Sequence, residues 1–320
     1  MKRASSLGLL ALVASLLLGG EGHLQYVKAA PFTGKGLTIS PPSRELTIKP
    51  GDSVTETVKI TNPTPELLEV FPASMDFKAK DDSGEPAFYV PEKDTPAKYA
   101  LSSWVSFPQG KIALAPQQVV NFTYTITVPA DAEPGGHYGA VFFANEPPKT
   151  EATGASEVSI TSMVGSLVLI RVPGNIKDGA QLLVFDSQKS LYMKSPIDFS
   201  FRIENEGNVH FRPRGEIIIK NWQGKYVESV PVNVQQGNVL PDSSRSFHEK
   251  WSPAKAPMGR FTANLAVIYG DSGNTEGAKT LSRTVTFWVL PLWIFLVIGV
   301  GILILITIFI LVRIIIKQRK

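Results

Sequence analysis

The sequence predicts an all-β chain: two tandem immunoglobulin-like β-sandwich domains followed by one transmembrane α-helix. Three observations carry this. Apolar residues recur with period two along most of the chain. Turn-forming clusters of Gly, Pro, Asn and Asp separate these runs at short intervals. A run of 29 residues without a charge, Thr284 to Val312, then stands before a basic end.

The N-terminus reads as an export signal. Lys2 and Arg3 form a basic start, Leu7 to Leu18 an apolar stretch, and Val27-Lys28-Ala29 offers small residues at the spacing a signal peptidase reads, so residues 1–29 are expected to be removed. The alternative is an uncleaved anchor.

Strand patterns then dominate. Val120, Phe122, Tyr124, Ile126 and Val128 alternate with Asn and Thr. The same alternation runs through Ile197, Phe199, Phe201 and Ile203, and through Phe261, Ala263, Leu265, Val267 and Tyr269. Val54, Val58 and Ile60 make a fourth run, with Glu56 as the exception on its apolar face. Such patterns suit antiparallel sheets with one packed and one wet face. The outward row Asp198, Ser200, Arg202 and Glu204 is accordingly expected to tolerate change. A long strand, residues 158–172, ends in Pro173-Gly174-Asn175, and a fresh pattern starts at Gln181. That places the first sandwich at 36–172 and the second at 178–289.

Residues 292–312 would rise about 31 Å as a helix, matching a hydrocarbon core of about 30 Å. Arg313, Lys317, Arg319 and Lys320 follow, so residues 313–320 form a basic tail expected in the cytoplasm, with the sandwiches outside the cell membrane. Trp288 and Trp293 stand where an outer aromatic belt belongs. A buried helix of a soluble protein is usually shorter than this run.

The net charge of +4 comes from the ends. Without the leader's +2 and the tail's +4, residues 30–291 carry −2, which does not suit nucleic acid as a partner. The chain has no cysteine, so disulfides, thiolate nucleophiles and cysteine-held metals are excluded.

Catalytic groups are sparse. His137, His210 and His248 fall among expected turns without metal-binding spacing. Ser252-Pro-Ala-Lys255 has the spacing of a Ser-x-x-Lys nucleophile, but Pro253 and Pro257 oppose the helix that chemistry needs. Asp76, Asp81, Asp82 and Glu85, and separately Asp271 to Glu276, are acidic enough for calcium but lack an EF-hand spacing; a polar hairpin tip has the same composition. No cofactor is expected, and the chain reads as a non-enzyme. Asn121-Phe-Thr123 is a glycosylation sequon in mid-strand. Trp104, Tyr138, Trp222 and Trp251 are the candidate binding residues, offering flat faces on which a sugar would stack, unless they fill the cores instead.

Taken in order, several motifs resemble a known family. Lys49-Pro-Gly51, Val58-Lys-Ile-Thr-Asn62, Ile112-Ala-Leu-Ala-Pro116, Ile126-Thr-Val-Pro129 and Pro134-Gly-Gly-His-Tyr-Gly-Ala-Val-Phe-Phe143 lie in the first sandwich. Met258 to Leu265 and Arg283-Thr-Val-Thr-Phe287 close the second. With the leader, the span and the basic tail, this order is similar to that of the WxL-interacting proteins of Gram-positive cell surfaces. The resemblance implies a first domain that engages peptidoglycan and a second that holds an exported partner carrying a WxL domain. Two tracts, Asn205 to Gly215 and Asn238 to Arg245, depart from the family's second domain. Trp288-Val-Leu290 spells W-x-L, at a place where the membrane interface already accounts for the tryptophan.

The expected role is therefore a membrane-anchored binding protein that attaches wall polymer, an exported protein, or both to the envelope. An adhesin or assembly chaperone that offers a sheet edge to a partner strand is the alternative. A glycan hydrolase would need two carboxylates converging in a cleft.

Overall fold

The computed structural model describes residues 36–89, 98–145, 163–270 and 278–318. The leader, the segment 271–277 with its acidic run, and the start of the strand expected from residue 158 lie outside them.

Two sheets face each other before Val172. One has the order β1-β3-β8-β6, from β1 (Thr38–Ser40), β3 (Ser53–Thr61), β8 (Val119–Thr127) and β6 (Val105–Ser106). The other runs β2-β10-β9-β4-β5, from β2 (Ser43–Thr47), β10 (Met163–Val172), β9 (Gly135–Ala144), β4 (Leu68–Ala79) and β5 (Pro86–Tyr89), with β7 (Ile112–Leu114) also on β4. Two more follow Ala180. They are β11-β13-β16, from β11 (Ala180–Ser187), β13 (Ile197–Asn205) and β16 (Ser243–Trp251), and β12-β18-β17-β14-β15, from β12 (Leu191–Tyr192), β18 (Lys279–Val289), β17 (Gly259–Tyr269), β14 (Arg214–Asn221) and β15 (Tyr226–Val232). The fold is the all-β, immunoglobulin-like one the alternation predicts.

Each sandwich opens with a strand divided between its two sheets. β1 pairs antiparallel with β3 while β2 pairs parallel with β10; β11 pairs antiparallel with β13 while β12 pairs parallel with β18. The sheets are therefore not wholly antiparallel. Val58-Lys-Ile-Thr-Asn62 and Phe201-Arg-Ile-Glu-Asn205 occupy matching places, and both end in a buried asparagine that pins the turn after it. Asn62 Nδ2 donates to the Glu66, Leu114 and Ala115 carbonyls, and its Oδ1 accepts from Thr64 N–H at 2.9 Å. Asn205 Nδ2 donates to the Val209 and Val239 carbonyls, each at 2.9 Å, and its Oδ1 accepts from Gly207 N–H. A buried amide with its groups satisfied fixes a turn without leaving an orphan donor.

Alternation becomes burial as expected. Phe122, Tyr124 and Ile126 point into the first core, and Ile197, Phe199, Phe201 and Ile203 into the second. Glu56 sits on a core-facing row because Arg44 Nε meets its carboxylate at 3.3 Å. β9 does not alternate: all ten of its residues are buried. Val141 and Phe143 join the first core, whereas Tyr138, Ala140 and Phe142 pack on the opposite face of the sheet, where Leu240 of the second sandwich packs beside Tyr138.

Helix α1 runs from Leu292 to Gln318 and is long and apolar enough to cross a membrane. It continues through Arg313 and Lys317, so most of the expected tail is helical.

Candidate binding site: the seam between the sandwiches and the strand edges

The second sandwich docks on the outer face of the β2-β10-β9-β4-β5 sheet largely through polar groups gathered on Tyr138 and Glu45. Tyr138 is at its centre, 1% exposed. Its Oη accepts the His210 N–H at 2.9 Å and lies 3.2 Å from His210 Nδ1, so the phenol completes both groups of one residue. Glu45 on β2 accepts from Arg212 Nη2 at 2.8 Å and from Asn238 Nδ2, with His210 Nε2 3.7 Å away. Burial holds the His210 imidazole down to about 4; the Glu45 carboxylate opposes that shift, and Arg171 and Arg212 add to it. A neutral ring is the form a desolvated site favours.

Two further contacts flank this centre. Asp242 accepts the Tyr99 hydroxyl at 2.8 Å and lies 3.4 Å from Lys98. At the β4–β5 turn the Asp82 carbonyl accepts the Ser246 N–H at 2.7 Å, while its carboxylate takes the Ser246 hydroxyl at 2.8 Å and stands 3.8 Å from Arg202. Gly136 N–H donates to the Asn208 carbonyl at 2.8 Å. Cavities of about 230 and 270 Å³ border the seam, the first lined by Lys98, Glu133, His137, Lys177, Glu206 and Asp242, the second by Phe77, Leu169, Arg212 and Arg245. The seam's charges already answer one another, which suits a weld between domains and not an acid–base pair poised for chemistry.

The four aromatic candidates are not brought together. Tyr138 and Trp251 are each 1% exposed and offer no face to a sugar: the first is sealed by the second sandwich, and the second fills the other core with its Nε1–H on Glu228 at 2.7 Å. Trp104 is half-buried, its ring 4.3 Å from that of His137. Trp222 alone is open, 70% exposed at the β14–β15 turn.

The acidic cluster and the histidines take structural places. Asp76 is fully buried and accepts from the Leu101 and Ser102 N–H groups and the Ser102 hydroxyl, at 2.7, 2.6 and 2.8 Å; Asp81 caps Ser83 N–H, and Glu85 pairs with Lys80. Among the described residues no group of three acidic or histidine side chains is placed to hold a metal. His137 lies within β9 and His248 within β16, not in turns. Arg202 is not simply wet, because the Asp82 turn stands over it.

Sequence reasoning missed Glu45, Asp82, Arg212, Asn238 and Asp242 as a set. Four of the second sandwich's contacts, His210, Arg212, Asn238 and Asp242, lie in the tracts Asn205 to Gly215 and Asn238 to Arg245, whereas Ser246 and Arg202 lie outside them.

One open strand edge is that of β8. On the side away from β3, β6 covers it only at Thr125 and Ile126, so Val119 to Tyr124 has no strand on that side among the described residues. Its outward side chains, Asn121 and Thr123, are exposed and uncharged, and its register with β3 has no bulge. Three other edges carry guards: Pro231 in β15, Asp82 over β16, and Arg283 of β18 donating to the Leu183 carbonyl at 2.7 Å.

No family model matches the chain, and no curated protein matches it in sequence. Solved structures do. The class 5 fimbriae chaperone CfaA is 14% identical over 78% of this chain and 99% of its own, with a TM-score of 0.39. For the E. coli chaperone DraB the identity is 14%, the coverage 78% and 97%, and the TM-score 0.34. The Pseudomonas aeruginosa CupB2 chaperone is 11% identical, with coverage of 77% and 99% and a TM-score of 0.33.

Proposed function

We propose that this chain is a non-enzymatic, single-pass surface protein that holds an exported protein partner by strand addition. The helix α1 anchors it, with the sandwiches outside and the basic end in the cytoplasm. The observation that carries this reading is the edge of β8, six residues long and without the charge, proline or bulge by which edges are normally closed. Added strands gain main-chain hydrogen bonds and specificity from alternate side chains. A WxL-domain protein is the class of partner that the motif resemblance suggests. The wall-polymer role has little support from the aromatic candidates, three of which are buried or half-buried.

The test places a photo-crosslinker at Thr123 in the full membrane-bound chain, with Lys59 on β3 as the control position. Adducts to an exported protein at 123, absent at 59 and abolished by Asn121→Lys, support edge capture. Adducts to wall glycan alone would replace it with polymer binding.

A further inference from the structure

Four segments meet at the end of the second sandwich from which α1 departs. They are 188–196 around β12, the β14–β15 turn 221–226, the stretch 250–260, and 286–293. Strand register brings them together: Leu191 lies opposite Trp288, Gly259 opposite Val289, Asn221 opposite Phe261, and Ile197 opposite Trp251.

Their composition is one-sided. They contain Lys189, Lys194, Lys225, Lys250, Lys255 and Arg260, all exposed, and no Asp or Glu. Asp198, 4.0 Å from Lys250, and Glu228, which accepts from Trp251, stand at their margin, and the six cations outnumber them. Between the cations stand exposed apolar side chains that a water-facing pole has no use for: Leu191, Met193, Trp222, Met258 and Trp288, from 41 to 70% exposed. Cations mixed with tryptophan and methionine are the composition of a surface that rests in a headgroup layer.

The joint decides the occupant. Only Leu290 and Pro291 separate β18 from α1, and Leu290 N–H is tied back to the Tyr192 carbonyl at 2.8 Å. Two residues reach at most about 7 Å, so a helix that enters a bilayer at Leu292 holds this pole at the bilayer surface.

We propose that the anchor-side pole of the second sandwich is a second membrane contact, docking on anionic lipid headgroups through its lysines and Arg260 with Trp222 and Met258 set into the interface. This rests on the reading of α1 as a membrane anchor. The sandwich is thereby held in one orientation on the membrane, with the first sandwich carried outward.

The chain has no cysteine, so a single introduced one takes a spin label without interference. Full-length Trp222→Cys, Met258→Cys, Lys59→Cys and Leu303→Cys are labelled in vesicles of three parts phosphatidylcholine to one part phosphatidylglycerol, and in phosphatidylcholine alone. Labels at 222 and 258 are expected to exclude a water-soluble nickel relaxant several-fold better than the label at 59 in the anionic vesicles, and less well in the neutral ones. Lys189→Glu, Lys225→Glu and Lys255→Glu combined should restore nickel access.

Nickel access at 222 and 258 equal to that at 59 overturns the proposal, and so does shielding indifferent to lipid charge and to the three reversals. Shielding that instead rises with protein-to-lipid ratio would assign the pole to contacts between copies. The label at 303 separates the two readings: if it is not in the oxygen-rich bilayer interior, the anchor itself fails.

Discussion

Tyr138 of the first sandwich and His210 of the second share one phenol oxygen, which serves both the backbone N–H and the ring of the histidine within 3.2 Å. Tyr138→Phe removes this acceptor and strands a buried N–H. A loss of about 1–3 kcal/mol is expected. Thermal denaturation of the detergent-solubilised chain measures it; an unchanged midpoint would mean that water replaces the phenol and the seam is not tight.

The same histidine gives a pH dependence. Its folded value of about 4 lies below the ordinary 6.5, so between these limits the unfolded chain binds the extra proton. Its contribution to stability is complete above about pH 6.5 and is lost as pH falls towards 4, amounting to roughly 3 kcal/mol. Stability measured against pH should show a shallower fall in His210→Gln than in the parent chain over that window. Parallel curves would remove His210 as the source.

Gly135 has φ +139, a conformation that other residues rarely adopt, and a Cβ there would come 2.7 Å from the Asn208 carbonyl of the second sandwich. Gly135→Ala should therefore strain β9 and push the sandwiches apart together. Faster proteolysis between residues 172 and 180 is the expected readout, with the midpoint lowered by about 1–3 kcal/mol equivalent. Gly110→Ala, with open space around it, is the silent control.

On β13 the two faces should answer differently. Phe201→Asp places a charge in the second core and should prevent folding, a cost of several kcal/mol. Arg202→Glu sets a carboxylate against Asp82 and should cost about 0.5–1 kcal/mol, recovered when Asp82→Lys is added. Circular dichroism for the first and a double-mutant cycle for the second check both. No recovery would show that the Asp82 turn touches Arg202 without coupling to it.

Much of this fold is legible in period two. Strands such as β8 and β13 bury every second residue, and the sequence writes that directly as Phe122-Thr-Tyr124-Thr-Ile126 or Phe199-Ser-Phe201-Arg-Ile203. β9 resists the same reading because its second face is covered too, at Tyr138 by the second sandwich and at Ala140 and Phe142 by Met75, Phe88 and Leu167 of its own, so that alternation is lost. The site was harder still. Glu45, Arg212 and Asn238 are far apart in the chain, and nothing in the spacing of three polar residues announces that one carboxylate will gather the other two. Trp251 and Tyr138 misled for the opposite reason: an aromatic residue reads alike whether it fills a core or faces a ligand, and only packing separates the cases.

The way the chain leaves the second sandwich also determines how that sandwich bears load. β18 is paired with β17 over its whole length, eleven residues from Lys279 to Val289, and its end leads almost directly into α1. In the anchored, partner-holding arrangement proposed above, a pull between the membrane and a partner on the first sandwich would act along β18. The rungs of the ladder are then sheared together instead of being opened one after another from a free end. Such an arrangement gives a tether that yields slowly under tension, a property set by the unfolding barrier and not by equilibrium stability.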